Sequence, residues 1–215
     1  MDTTTDIAAI SDLPRLQHLE ILLDRSSSME RIKSEAENGL EEFLDAQDEA
    51  GVPTTVTLAQ FDDEYELVYE IWPLEEVPRL VLQPRGRTAL LDAIAKTLRR
   101  LEKRILRTPQ GWQPDSVIVV IVTDGHENAS RQYARDEVHA MIRRCQKKHG
   151  WTFLFLGADQ DAIEVAGSLG ISADTALSYD SGRTEASLTT AGRMVARGTT
   201  TGHFAFTDQD RQGVE

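Results

Sequence analysis

The chain has one cysteine, Cys145, which excludes an internal disulfide. Its place in a helical pattern marks it as a small core residue and not a reactive thiol. No apolar run is long enough to cross a bilayer, the longest extending only from Val117 to Val122. The opening residues Met1-Asp2-Thr3-Thr4-Thr5-Asp6 lack the basic start and the apolar stretch of a secretion signal. The expectation is a soluble, cytoplasmic protein with no membrane partner. Basic residues are the scarcer charge, 23 Lys and Arg against 36 Asp and Glu, for a net charge of −13. Such a surface repels phosphate backbones, so nucleic-acid binding is disfavoured, and it concentrates cations. The five histidines have no spacing that suits zinc. There is no Walker-type glycine loop and no internal repeat.

What is present suits one large domain. A length of 215 residues with 40% hydrophobic content is enough for a continuous core covered by helices. Ile21-Leu22-Leu23, Ser116 to Thr123 and Thr152 to Leu156 read as strands buried on both faces. Between them lie helical stripes. Leu40, Phe43 and Leu44 mark one from Ser34 to Ala50, and Leu91, Ile94, Leu98, Leu101 and Ile105 mark a second. Val138, Met141, Ile142 and Cys145 mark a third, over about 135–148. Thr54 to Phe61 and Tyr65 to Trp72 read as a hairpin around Asp62-Asp63-Glu64. A short helix over Asp161 to Leu169, an edge strand at Ala176 to Tyr179 and a weaker helix over Glu185 to Arg197 follow. This pattern predicts an α/β fold, a doubly wound and mostly parallel sheet with helices on both faces and one antiparallel edge hairpin strand. The expected division is a polar lead-in over 1–16, a domain over 17–180, and a helix with a loose tail over 181–215 packed on that domain.

Two of the buried strands end on an acid. Asp24 is followed by hydroxyls at Ser26 and Ser28, and Asp124 by Gly125. Thr88 lies in a third loop, Arg85-Gly86-Arg87-Thr88, ahead of a helix. Parallel sheets bind ligands beyond the carboxyl ends of their strands, where Asp24 and Asp124 would lie. Carboxylate and hydroxyl oxygens suit a hard divalent cation. Each piece alone has a plainer explanation. Ser27-x-x-Glu30 matches a capping box, Thr88 a helix N-cap, and Thr123-Asp124-Gly125 and Asp62 simple turns. Arg25, Arg87 and His126 read as solvated loop residues, and Met29 and Trp112 as packing residues.

Taken together, Asp24-x-Ser26-x-Ser28, Thr88 and Asp124 resemble the metal-ion-dependent adhesion site of the von Willebrand factor A (VWA) family, over roughly residues 17–170. Ser27 stands where many relatives have glycine. Gly157-Ala158-Asp159-Gln160-Asp161-Ala162 resembles the stand-alone prokaryotic and phage members. The resemblance implies a VWA or Rossmann-like fold and a Mg²⁺ site, with Mn²⁺ or Ca²⁺ as substitutes. Ser26, Ser28 and Thr88 would hold the cation through hydroxyls, and Asp24 and Asp124 directly or through water. It further implies a non-enzymatic interaction module that takes an Asp or Glu carboxylate of a protein partner, such as an ATPase or a larger assembly.

Two other functions compete with this one. In the first, Asp24 is the nucleophile of a metal-dependent phosphoryl-transfer enzyme. Phosphatases of the haloacid dehalogenase type place a second acid two positions on, where this chain has Ser26. In the second, the domain is structural and its site vestigial.

Overall fold

Strand β1 (Gln17–Asp24) runs through the middle of the molecule and is buried along its whole length. A computed structural model describes residues 15–214, so the lead-in expected over 1–16 lies outside the described residues except for Arg15 and Leu16. A 3-10 segment (Ser27–Ile32) and helix α1 (Lys33–Glu49) follow β1. Strands β2 (Thr54–Phe61) and β3 (Tyr65–Pro73) form the hairpin. Then come α2 (Leu90–Ile105), β4 (Ser116–Thr123), α3 (Arg135–His149), β5 (Thr152–Ala158), α4 (Ala162–Ser168) and β6 (Ala176–Tyr179). The chain closes with α5 (Thr184–Thr201) and the short α6 (Asp208–Gln212).

The six strands lie in the order β3-β2-β1-β4-β5-β6. Every pairing is parallel except that of β2 with the edge strand β3. This is the doubly wound order, whose topological switch point falls between β1 and β4. Their register pairs Leu23 with Val122, which brings Asp24 level with Thr123 and next to Asp124. Alternate residues of β1 enter different cores. Leu19, Ile21 and Leu23 pack with α1 and α5, while Leu22 packs with α2, α3 and α4. The expected architecture is the observed one. No helix among the described residues is long and apolar enough to cross a membrane.

The last segment departs from the expected loose tail. Helix α5 continues to Thr201, and beyond it Phe206 and Val214 are buried in the core beneath α1 and α5. Threonine and glycine are poor helix formers, but packing overrides propensity here. A Cβ on Gly192 would lie 2.7 Å from the Phe43 Cα, so the glycine lets α5 pack closely against α1. Trp112, expected to pack, is instead 78% exposed on the loop before β4. Met29 and Cys145 are fully buried, as their contexts predict.

Candidate metal site

The five oxygen-bearing residues singled out in the sequence meet at the switch point. Asp24 ends β1 with no exposed surface, and both of its carboxylate oxygens are occupied. Oδ1 accepts the Ser26 amide at 2.6 Å and Oδ2 the Thr123 hydroxyl at 2.5 Å. The Asp24–Ser26 bond folds the chain so that the hydroxyls of Ser26 and Ser28 stand side by side, 3.1 Å apart. Ser28 in turn donates to Asp124 Oδ1 at 2.6 Å, which links the loops after β1 and β4.

The third loop is held by a charged frame. Asp62, 1% exposed, accepts Arg25 Nε at 2.9 Å and Arg85 Nε at 2.8 Å. Arg25 also pairs with Glu66 and is 5% exposed, so it is not the solvated loop residue its position suggested. Arg87 and His126 are exposed as expected. The Ala89 amide donates to the Asp62 carbonyl at 2.9 Å and the Arg85 amide to the Arg25 carbonyl at 2.8 Å, which sets the Gly86 loop against the serine loop. Gly86 itself has φ of 68°, a conformation that favours glycine, and a Cβ there would collide with Asp63 Oδ1.

The plainer explanations of the hydroxyls do not account for them. The segment after Ser26 has no side-chain cap, and Ser27 donates its hydroxyl to the Gly86 carbonyl at 2.9 Å. Ser27 is not among the positive-φ residues, so a serine there carries no backbone strain. Helix α2 starts after Ala89, again without a side-chain cap, which leaves Thr88 Oγ1 free of that duty. All three hydroxyls point to one place. A Cβ on Gly125 would lie 2.8 Å from Thr88 Oγ1, 3.5 Å from Ser28 Oγ and 3.6 Å from Ser26 Oγ.

Three observations bear on whether this cradle fits a cation. Two cis oxygens on an octahedral Mg²⁺ stand roughly 3.0 Å apart, close to the Ser26–Ser28 separation. The Asp124 side chain is wholly buried, and its Oδ2 has no hydrogen-bond partner, only the Arg31 guanidinium at 3.8 Å, a costly arrangement for a carboxylate. Burial also raises the pKa of both aspartates, that of Asp24 to about 6 against an ordinary 3.8, despite the bonds from Thr123 and Ser26 that pull it back. The donor set therefore fits a hard cation. Among the described residues no group of three or more His, Cys, Asp or Glu side chains could hold a metal. Hydroxyls would have to supply most of the protein ligands.

Sequence reasoning missed several supporting residues. Thr123 orients Asp24, and the Asn128 side chain accepts the Thr88 amide. Glu127 Oε2 accepts the Leu91 amide in the first turn of α2, and Asp92 accepts the amides of Arg131, Gln132 and Tyr133. Asp62, read as a hairpin turn, makes that turn and also anchors both arginines. Only Asp62 carried a signal, since a run of acids facing a run of basic residues some twenty positions on invites pairing.

Comparison with known proteins agrees on the fold. No family model matches the sequence, and no curated protein matches it. Solved structures do. Proximal thread matrix protein 1 from the mussel byssus superposes with a TM-score of 0.59 at 13% identity, over 85% of this chain and 46% of that one. A von Willebrand factor type A protein from Catenulispora acidiphila gives 0.57 at 14% identity, over 85% and 43%. The vWF domain of the type V pili tip protein Mfa5 from Porphyromonas gingivalis gives 0.56 at 10%, over 91% and 99%. This chain spans less than half the length of the first two. Such likeness shows the fold, which is that of VWA domains.

Proposed function

We propose that this protein is a cation-dependent interaction module that binds Mg²⁺ with Asp24, Ser26, Ser28, Thr88 and Asp124 and through it a carboxylate of a protein partner. The observation that carries the reading is the convergence of three hydroxyls from two loops beside a buried, unpartnered carboxylate oxygen. Bound there, Mg²⁺ would supply an electrophilic position, since neutral hydroxyls quench little of its charge. The chain's own residues do the rest. Asp24 orients the serine loop, Asp124 ties that loop to β4, and Gly125 leaves the space above the hydroxyls free. An acidic protein gains in this way a means of holding an acidic partner, such as a subunit of an ATPase or of a larger assembly, in the cytoplasm.

A phosphoryl-transfer role has less support. A nucleophilic Asp24 would need an oxygen free to attack, but the residue is fully buried and both oxygens accept short hydrogen bonds. A vestigial site would need no open cradle above its hydroxyls.

Calorimetric titration of the full chain with Mg²⁺ and Mn²⁺ tests the proposal. Wild type should bind one ion, and Thr88→Ala and Asp24→Ala should lose that binding while remaining folded by circular dichroism. Partners retained on immobilised protein in Mg²⁺ should be released by EDTA. Absence of binding to either ion would favour the vestigial reading.

A further inference from the structure

We infer that Arg31 is the residue that selects the partner at this site: its guanidinium takes the second oxygen of the incoming carboxylate, at the expense of cation affinity. The inference rests on the proposed function above. Arg31 lies at the end of the 3-10 segment that begins with the serine loop. Its Nη2 is 3.8 Å from Asp124 Oδ2, too far for a hydrogen bond but the nearest cationic group to that unpartnered oxygen. Asp159 holds it there, with Oδ2 at 3.4 Å. That carboxylate is itself fixed, because the Ser181 amide donates to its Oδ1 at 2.8 Å and the Asp159 amide to the Tyr179 carbonyl at 2.9 Å. The Arg31 side chain is 62% exposed, so a partner can reach it.

Two other arginines close to the site belong to the frame around Asp62. Arg25 is buried against Asp62 and Glu66, and Arg85 pairs with Asp62 and Glu64. Arg87 is exposed on the neighbouring loop but forms no ion pair with Asp124. In a chain of net charge −13, an acidic partner is repelled at long range, so a cation at the mouth of the site has an outsized effect. A guanidinium fork also matches the plane of a carboxylate in a way that an ammonium does not. The same positive charge opposes a divalent ion a few ångströms away. Arg31 should therefore act with opposite sign on the two ligands, which a merely structural residue would not do.

The test measures Mn²⁺ binding to the full chain by calorimetry, then binding of an acetylated, amidated Gly-Asp-Ser peptide at saturating Mn²⁺ by NMR titration. Arg31→Gln should tighten Mn²⁺ about threefold and weaken the peptide about tenfold, magnitudes typical of a partly exposed charge a few ångströms away. Arg31→Lys should return Mn²⁺ affinity to wild type and recover only part of the peptide affinity. Arg87→Gln should change neither. If Arg31→Gln moves both affinities in one direction, or moves neither, or if Arg87→Gln reproduces its effect, the assignment of Arg31 is overturned and the metal site stands. If wild type binds Mn²⁺ but not the peptide, the carboxylate reading and this inference fall together. If it binds no Mn²⁺, the metal site falls with them.

Discussion

Asn128 and Thr88 are tied to each other twice. The Thr88 amide donates to Asn128 Oδ1 at 3.0 Å, and the Asn128 amide donates back to the Thr88 carbonyl at 3.0 Å. The pair joins the loop before α2 to the loop after β4, so the threonine hydroxyl is positioned by the same segment that carries Asp124. Asn128→Ala should cost about 1–2 kcal/mol, because it leaves the amide of a residue only 2% exposed without its partner. It should also weaken Mn²⁺ binding without removing a ligand. Urea unfolding and calorimetry on the same protein check both, and an unchanged Mn²⁺ affinity would show that Thr88 is held by other means.

Gly125→Ala is the sharpest steric probe of the cradle. The added methyl would stand 2.8 Å from Thr88 Oγ1, inside normal contact distance, and in the space the three hydroxyls face. Gly125 is not at positive φ, so alanine meets no backbone penalty. The variant should fold with stability within about 1 kcal/mol of wild type, as expected for a change near the surface. Its Mn²⁺ affinity should fall by tenfold or more. A variant that binds Mn²⁺ as wild type does would place the ion elsewhere.

The parts of this reading that were legible in the sequence share one physical cause. Continuous apolar runs that stop at an acid, as at Leu23-Asp24 and Val122-Thr123-Asp124, identify buried parallel strands and the edge at which their ends meet. The β2–β3 hairpin was legible through its β-branched residues and polar turn, and the α2 stripe through periodicity. What escaped depends on contacts across long stretches of chain. Arg25 is buried only because Asp62 and Glu66, far along the sequence, neutralise it. The segment after Gly198 is ordered because α1 offers a face to pack on, which composition cannot reveal. Arg31, Thr123 and Asn128 carry no motif, and their part in the site emerges only once three loops are set side by side.

Acidity gives a signed prediction. Burial raises Asp24 to about 6 and lifts Asp124 above the ordinary carboxylate range. The folded chain thus holds these protons more tightly than the unfolded one. In the metal-free protein the resulting stabilisation is full below pH 3.8 and is lost as pH rises through about 6. A bound cation requires the ionised forms and reverses that loss. The increase in Tm on adding Mg²⁺ should be small at pH 5 and grow through pH 6 to pH 7. Thermal unfolding with and without Mg²⁺ at these three values measures it, and an increment that does not vary with pH would mean that neither carboxylate takes part.

The frame beneath the Gly86 loop can be tested through its buried member. Asp62 is 1% exposed and receives both Arg25 and Arg85, whereas the Glu66 side chain, the other partner of Arg25, is 56% exposed. Removing Asp62 leaves the buried Arg25 with only the exposed Glu66 as counter-charge, at a cost toward the lower end of the about 3–5 kcal/mol of a broken buried pair. Removing the exposed member costs less than about 1 kcal/mol, because water takes its place. Asp62→Ala should therefore be strongly destabilising in urea, and Glu66→Gln nearly silent. Glu66→Gln should also leave Mn²⁺ binding intact. Asp62→Asn, which keeps the turn and an acceptor but loses the charge, should fold with intermediate stability and bind Mn²⁺ more weakly, since Arg85 no longer fixes the loop that carries Thr88. Equal losses from Asp62→Ala and Glu66→Gln would show that Arg25 is hydrated, and that the loop is held by its backbone bonds to Arg25 and Asp62 alone.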